Sequence, residues 1–159
     1  MKTKIYIDFA YLFILASTFG AVIVLGAFVA PVIFNTDKLL SEIIVNQYNA
    51  GIIMGEIFRL FSYWVYFTAL FVIVYELIMY KKGQRDFIIF ASSVTVVFSA
   101  LMFSAVYSPK IISMQRLGVE ATQSDTFKNI HIASELDFKI LAIALLILFI
   151  RRLIFFKIQ

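Results

Sequence analysis

The chain has 159 residues, 14 Lys and Arg against 10 Asp and Glu, a net charge of +4, and 62% hydrophobic residues at a mean hydropathy of +0.95. A soluble domain this small leaves about a third of its surface in water, so the composition excludes a water-soluble globule. The absence of cysteine excludes disulfides, thiolate metal sites, cysteine nucleophiles and covalent c-type haem.

In chain order, the uncharged run from Phe9 to Phe34 has 26 residues, about 39 Å of helix, which crosses a hydrocarbon core of roughly 30 Å with some tilt. Lys2 and Lys4 before it resemble the start of a signal peptide. The run is too long for a signal core, however, and Pro31 follows the tempting small-residue site at Ala30. Between the first and second spans, Leu39, Leu40, Ile43 and Ile44 fall on one side of a helix and Lys38, Ser41, Glu42 and Asn46 on the other, the pattern of a short interfacial helix. The second uncharged run, Leu60 to Tyr75, is bounded by Arg59 and Glu76, whose long side chains reach toward the two interfaces. Lys81 to Asp86, centred on Gly83, makes a short loop, so spans two and three are antiparallel neighbours. The third run is Phe87 to Pro109. Ser108 and Pro109 then suit the N-cap and first position of a second interfacial helix, Gly118 its stop, and Asp125 the cap of a fourth long helix. Only Ile140 to Ile150 is uncharged there, and the preceding half carries His131, Glu135, Asp137 and Lys139. Such a half needs protein or water around it.

Charge decides the count. With four spans, Lys2, Lys4, Lys81, Lys82, Arg85, Arg151, Arg152 and Lys157 share one side, against Lys38, Lys110, Arg116 and Lys128 on the other. The positive-inside rule makes the first set cytoplasmic. The expectation is therefore an all-α integral membrane bundle, one domain over residues 1–159, with four transmembrane helices near 9–34, 50–80, 87–107 and 130–152. Short interfacial helices occupy its outer loops, and both termini are cytoplasmic in a multi-pass inner-membrane protein. Its basic residues form no aromatic-interleaved patch, so the partner they imply is the lipid bilayer and not nucleic acid.

Small residues on one helix face let backbones approach in lipid. Ala16, Gly20, Ala27 and Pro31 in span one, and Ser93, Ala100 and Ser104 in span three, read as packing faces. Gly51, Gly55, Arg59, Ser62, Tyr66 and Ala69 also share a stripe. Either this stripe lines a polar cavity, with Glu56, Arg59, Ser62 and Tyr66 as candidates, or the glycines pack closely while Arg59 pairs with Glu56. His131 and Glu135 stack four residues apart, which suits a divalent metal, a proton relay or a simple hydrogen bond; Glu135 also stands four before Lys139, as in an ordinary ion pair. Met54, Met102 and Met114 lie toward the outer side, and thioethers suit Cu(I). Met54, Met114, His131 and Glu135 thus sketch a copper site, although methionine in so apolar a chain also serves as a gap-filler. No nucleophile motif, phosphate loop or paired-histidine haem arrangement appears.

The segments FVAPVIFN, NAGIIMGEIF and FKNIHIASELDFKIL resemble the transmembrane protein 205-like domain, a family of unknown function with four spans. The likeness runs from about Gly20 to Leu148. It rests on Phe28, Pro31 and Phe34, on Ala50 to Phe58, and on Phe127, His131 and Ser134. That family is distantly similar to CopD-type copper-resistance and HemJ-type protoporphyrinogen oxidase proteins, which implies metal, haem or small-solute handling. Span one lacks the histidine the HemJ type would place there. The leading expectation is a non-enzymatic four-span protein that handles a small solute or a metal ion such as copper. The alternative is a structural or assembly subunit of a larger membrane complex, or a homo-oligomer, packed through its small-residue faces. A haem or quinone oxidoreductase is the third reading.

Overall fold

The computed structural model describes residues 2–40 and 45–158, and every regular element among them is helical. Helix α1 (Lys2–Val24) runs through a π-helical turn (Leu25–Val29) into α2 (Ala30–Phe34). Pro31 accounts for the widened turn: it has no N–H for the carbonyl four residues back, and its ring crowds that carbonyl. Helix α3 (Thr36–Leu39) is a single turn. Of the interfacial helix expected around it, Ser41, Glu42, Ile43 and Ile44 lie outside the described residues.

Helix α4 (Gln47–Lys81) is capped by Asn46, whose side chain accepts the Asn49 N–H at 2.8 Å. Gly83, at φ +86°, turns the chain, and the Asp86 carboxylate accepts the Ile89 N–H at 3.0 Å to start α5 (Phe87–Leu101). The second proline gives a correction. Ser108 and Pro109 do not open a separate helix, because α5 passes through a π-helical turn (Met102–Tyr107) directly into α6 (Ser108–Arg116), with helical backbone at Tyr107 and no side-chain cap. Gly118 does stop it, at φ +106°, and α7 (Val119–Thr122) follows. Helix α8 (Asp125–Ile158) is capped by Ser124 rather than Asp125: the Ser124 hydroxyl accepts the Phe127 N–H at 3.2 Å.

Among the described residues three helices are long and apolar enough to cross a membrane, Ile5–Phe34, Gln47–Lys81 and Phe87–Arg116, as befits a multi-pass membrane protein. Helix α8, at 34 residues, is one shorter than α4, but Glu135, Asp137 and Lys139 before its apolar centre and Arg151 and Arg152 after it interrupt the run.

The long helices alternate in direction. Asp8, Tyr11 and Thr18 of α1 meet Tyr75, Glu76 and Thr68 of α4, and Asp86, beside the start of α5, meets Arg151 of α8. One end of the bundle, here called basal, therefore holds the start of α1, the end of α4, the start of α5 and the end of α8. The apical end holds α2, α3, α6 and α7. Tyr11, Leu15 and Val22 of α1, Val65 and Val72 of α4, Val96 of α5 and Leu141, Leu145 and Leu148 of α8 form the core. The small-residue face of span one is not part of it. Ala16, Ala27 and Pro31 are exposed, and a Cβ on Gly20 would meet nothing within 4 Å. Helix α1 instead packs through the stripe Tyr11, Leu15, Thr18 and Val22. In span three the expected face is buried, at Ser93, Ala100 and Ser104.

Candidate functional site

The two segments that carry the prolines, α2 and α6, both border an opening in the apical half. Between the α1–α2 bend, α4, α6 and α8 lies a cavity of about 950 Å³, with Gly26, Ala27, Ala30 and Pro31 on one wall and Met54, Phe58, Ile111 and Phe138 on others. Phe103 and Phe138 meet with ring centroids 4.8 Å apart, and Phe58 packs edge-on against both at 5.2 and 5.4 Å. These rings form the cavity floor. Such edge-on pairs contribute about 0.5–1.5 kcal/mol beyond their buried area.

A few polar groups enter this apolar space. Gln115 of α6, 7% exposed, lays its amide against α4, where a Cβ on Gly55 would come within 2.7 Å of its Oε1 and one on Gly51 within 3.2 Å of its Nε2. The two glycines make room for the amide of a facing helix. The Tyr48 hydroxyl donates to the Gln115 carbonyl at 2.6 Å and ties α6 down onto α4. From α8, His131 and Glu135 line the cavity, with Nε2 3.2 Å from Oε1. The imidazole stacks on Phe127, ring centroids 5.9 Å apart and 7° from parallel. Its buried Nδ1 has no hydrogen-bond partner among the described residues. Glu135 also reaches Lys139, at 3.8 Å.

The residues expected to form a site divide. Met54, His131 and Glu135 share the cavity, whereas Met114, half-buried on α6, does not line it. Among the described residues, no three His, Cys, Asp or Glu side chains gather where they could hold one ion. The expected polar wall of α4 is elsewhere. Arg59 pairs with Glu56 through two contacts of 2.7 and 2.8 Å on the exposed surface, with Tyr63 beside them. Ser62 is buried and bonded to the Phe58 carbonyl of its own helix, and Tyr66 is exposed. None of Glu56, Arg59, Ser62 and Tyr66 lines the cavity. A helical stripe drifts around the axis, so Gly51 and Gly55 face α6 while the residues a turn or more further on face out or bond within α4.

Gln115 escaped the sequence reading, although Ser108, Ile111 and Gln115 recur on one face of α6. That periodicity gains meaning only once α6 is known to fold back over α4.

The basal half holds a second polar cluster. Arg152, 0% exposed, pairs with Glu76 through both its Nε, at 2.9 Å, and its Nη2, and bonds Gln84 at 2.8 Å. The Tyr11 hydroxyl donates to Glu76 at 2.6 Å, and the Tyr75 hydroxyl to Asp8 at 2.7 Å. Tyr11 and Tyr75 stack at 3.8 Å, and the guanidinium lies 5.4 Å from the Tyr75 ring centre. Beside this cluster, Arg151 bonds Asp86 at 2.7 Å and holds its carboxyl below the usual carboxylate range. The groups here bond to one another, so the cluster ties α1, α4 and α8 together.

A family model described as Domain of unknown function (DUF4149) matches residues 13–120. The match takes in the cavity walls of α1, α2, α4 and α6 and ends before α8, which carries His131 and Glu135. No curated protein and no solved structure matches the chain.

Proposed function

The chain belongs to the DUF4149 family, and on that premise we propose that it is a four-span inner-membrane protein that binds a small amphipathic solute in the apical cavity. The observation that carries this reading is the cavity itself. A volume of about 950 Å³ lies within the range of roughly 300–1,000 Å³ usual for small-molecule sites and far exceeds what an ion needs. Apolar walls with a few polar side chains, Gln115, His131 and Glu135 among them, suit a molecule with an apolar body and one hydrogen-bonding end.

What supports α8 as the fourth span is its length, its place against α1 and α5, and the neutralisation of its basal charges by Glu76 and Asp86. The cytoplasmic position of the termini rests on the basic residues at the basal end. The resemblance to transmembrane protein 205-like domains agrees with this four-span reading.

Native mass spectrometry of protein released directly from membranes tests the solute. A bound small molecule is expected on the wild type and lost from Ala27→Trp, which fills the cavity from an exposed wall. Identical spectra for the two would remove the proposal. Impermeant labelling of Gly83→Cys and Ser124→Cys in spheroplasts tests the topology; labelling at Gly83 but not at Ser124 reverses it.

A second reading, copper, is favoured by one observation: Met54 and His131, a soft ligand and an imidazole, line the same cavity. Metal analysis of purified protein exposed to Cu(I) distinguishes it, since a copper site loses its metal in both Met54→Leu and His131→Ala.

A further inference from the structure

A second hollow lies in the basal half, along the seam between α4 and α5, with a volume of about 610 Å³. Val72, Ile73 and Leu77 of α4 and Phe90, Val94 and Phe98 of α5 line it, and all but Val72 are exposed on the outside of the bundle. Both helices are apolar enough to cross a membrane, so this groove faces lipid. Along α5 it runs from Ile89 to Leu101, a rise of about 18 Å, little more than half of a hydrocarbon core of roughly 30 Å. A groove of that depth matches the acyl region of one leaflet and is too short for a transmembrane helix, which needs the full thickness.

The mouth of the groove is the α4–α5 turn, where the uncompensated charge is positive. Glu76 and Asp86 also line the groove, but Arg152 pairs with the first and Arg151 with the second. Lys81 and Lys82 end α4, Gly83 turns the chain at φ +86°, and Arg85 follows. All three cations are exposed, and none pairs with a carboxylate among the described residues. The Arg85 guanidinium lies 5.1 Å from the centre of the Tyr80 ring, and Tyr80 lines the groove, which brings that cation to its edge.

Basic pockets between transmembrane helices hold anionic lipid headgroups, and here the charge and the apolar groove meet at one level. A soluble anion would leave the groove unfilled, and a zwitterionic lipid would bring a cation of its own toward the lysines. We propose that the α4–α5 groove binds an anionic phospholipid of the basal leaflet, with an acyl chain against Phe90, Val94 and Phe98 and the phosphate beside Lys81, Lys82 and Arg85. The site is separate from the apical cavity and holds whatever that cavity takes.

Native mass spectrometry of delipidated protein tests it, by titration with phosphatidylglycerol or phosphatidylcholine of identical acyl chains. One phosphatidylglycerol is expected to bind roughly tenfold more tightly than phosphatidylcholine, or better, since each cation near the headgroup contributes about fivefold. The triple variant Lys81→Gln, Lys82→Gln, Arg85→Gln should lose that preference. Val94→Trp keeps every charge but fills the groove from an exposed position, and should bind phosphatidylglycerol far more weakly than the wild type. Equal affinity of the wild type for the two lipids overturns the proposal without recourse to a variant. Undiminished binding by Val94→Trp also overturns it, because the contact would then be surface charge alone. Displacement of the lipid by glycerol 3-phosphate would assign the cations to a soluble anion instead, and a delipidated dimer that Val94→Trp dissociates would assign the groove to a second copy of the chain; either result overturns the lipid site.

Discussion

The two ends of the bundle treat polar groups in opposite ways. At the basal end Arg152, Glu76, Tyr11 and Gln84 are buried or half-buried, mutually bonded, and drawn from helices far apart in the chain. At the apical end Gln115 and His131 border an open cavity, and His131 Nδ1 has no partner among the described residues. A closed network of this kind fixes helix positions, because each bond strengthens its neighbours in a medium of low dielectric. An apolar cavity bordered by a few polar side chains can do something else, which is to receive a ligand. The comparison assigns cohesion to the basal cluster and solute binding to the apical cavity, and substitutions at the two ends should separate stability from function.

The largest effect is expected from Arg152→Ala, which leaves Glu76 buried without its cation and should cost about 3–5 kcal/mol. Reversible unfolding in bicelles measures it. The double variant Glu76→Leu, Arg152→Met should recover most of the loss, since an apolar pair of similar size replaces a pair rather than half of one. A double variant no better than the single would show that the ions themselves carry the helix positions.

Phe138→Ala removes the ring that touches Phe58, Phe61 and Phe103. It should cost roughly 3 kcal/mol and enlarge the cavity, which would blur the division between the ends if solute binding survives unchanged. Gly55→Ala is smaller. Its new Cβ meets the far end of a flexible Gln115 side chain, so the cost should stay below about 1.5 kcal/mol, while displacement of the amide should weaken solute binding in the mass spectrum.

His131→Ala should lower stability by only about 0.6 kcal/mol, the mean for a hydrogen bond in a membrane bundle, and abolish the bound solute. An abundant variant that retains its solute would take His131 out of the site. The smallest effect belongs to Asp86, whose carboxyl Arg151 holds below its usual range. A depressed folded-state value means that the pair's contribution is present above the ordinary carboxylate pKa of about 3.9 and is lost as pH falls below it. The unfolding midpoint of the wild type should therefore drop in that window relative to Asp86→Asn, which lacks the dependence.

Helical character and the apolar composition of the long segments were legible in the residues themselves. A run such as Phe9 to Phe34 has no soluble alternative, and Gly83 and Gly118 stop helices by a local backbone preference that needs no neighbour. The His131–Glu135 pair was legible for the same reason, since positions four apart on one helix meet whatever surrounds them. Contacts between segments were not. Ala16, Gly20 and Ala27 satisfy the small-residue pattern yet lie outside the core, while Tyr11 and Arg152 are wholly buried although their types and positions suggest an interface. Periodicity gives the angle of a side chain around its own axis and says nothing about which neighbour occupies that angle. The polarity of each helix and the stops at Gly83 and Gly118 were thus determined by sequence alone, whereas the run of the third span past Pro109 to Arg116 was not. Tertiary structure decided that the α1–α2 segment, α4, α6 and α8 surround one cavity, that Gly51 and Gly55 admit Gln115, and that Asp137 is buried with no ion pair among the described residues, because each depends on how rotated helices from distant parts of the chain are brought into register.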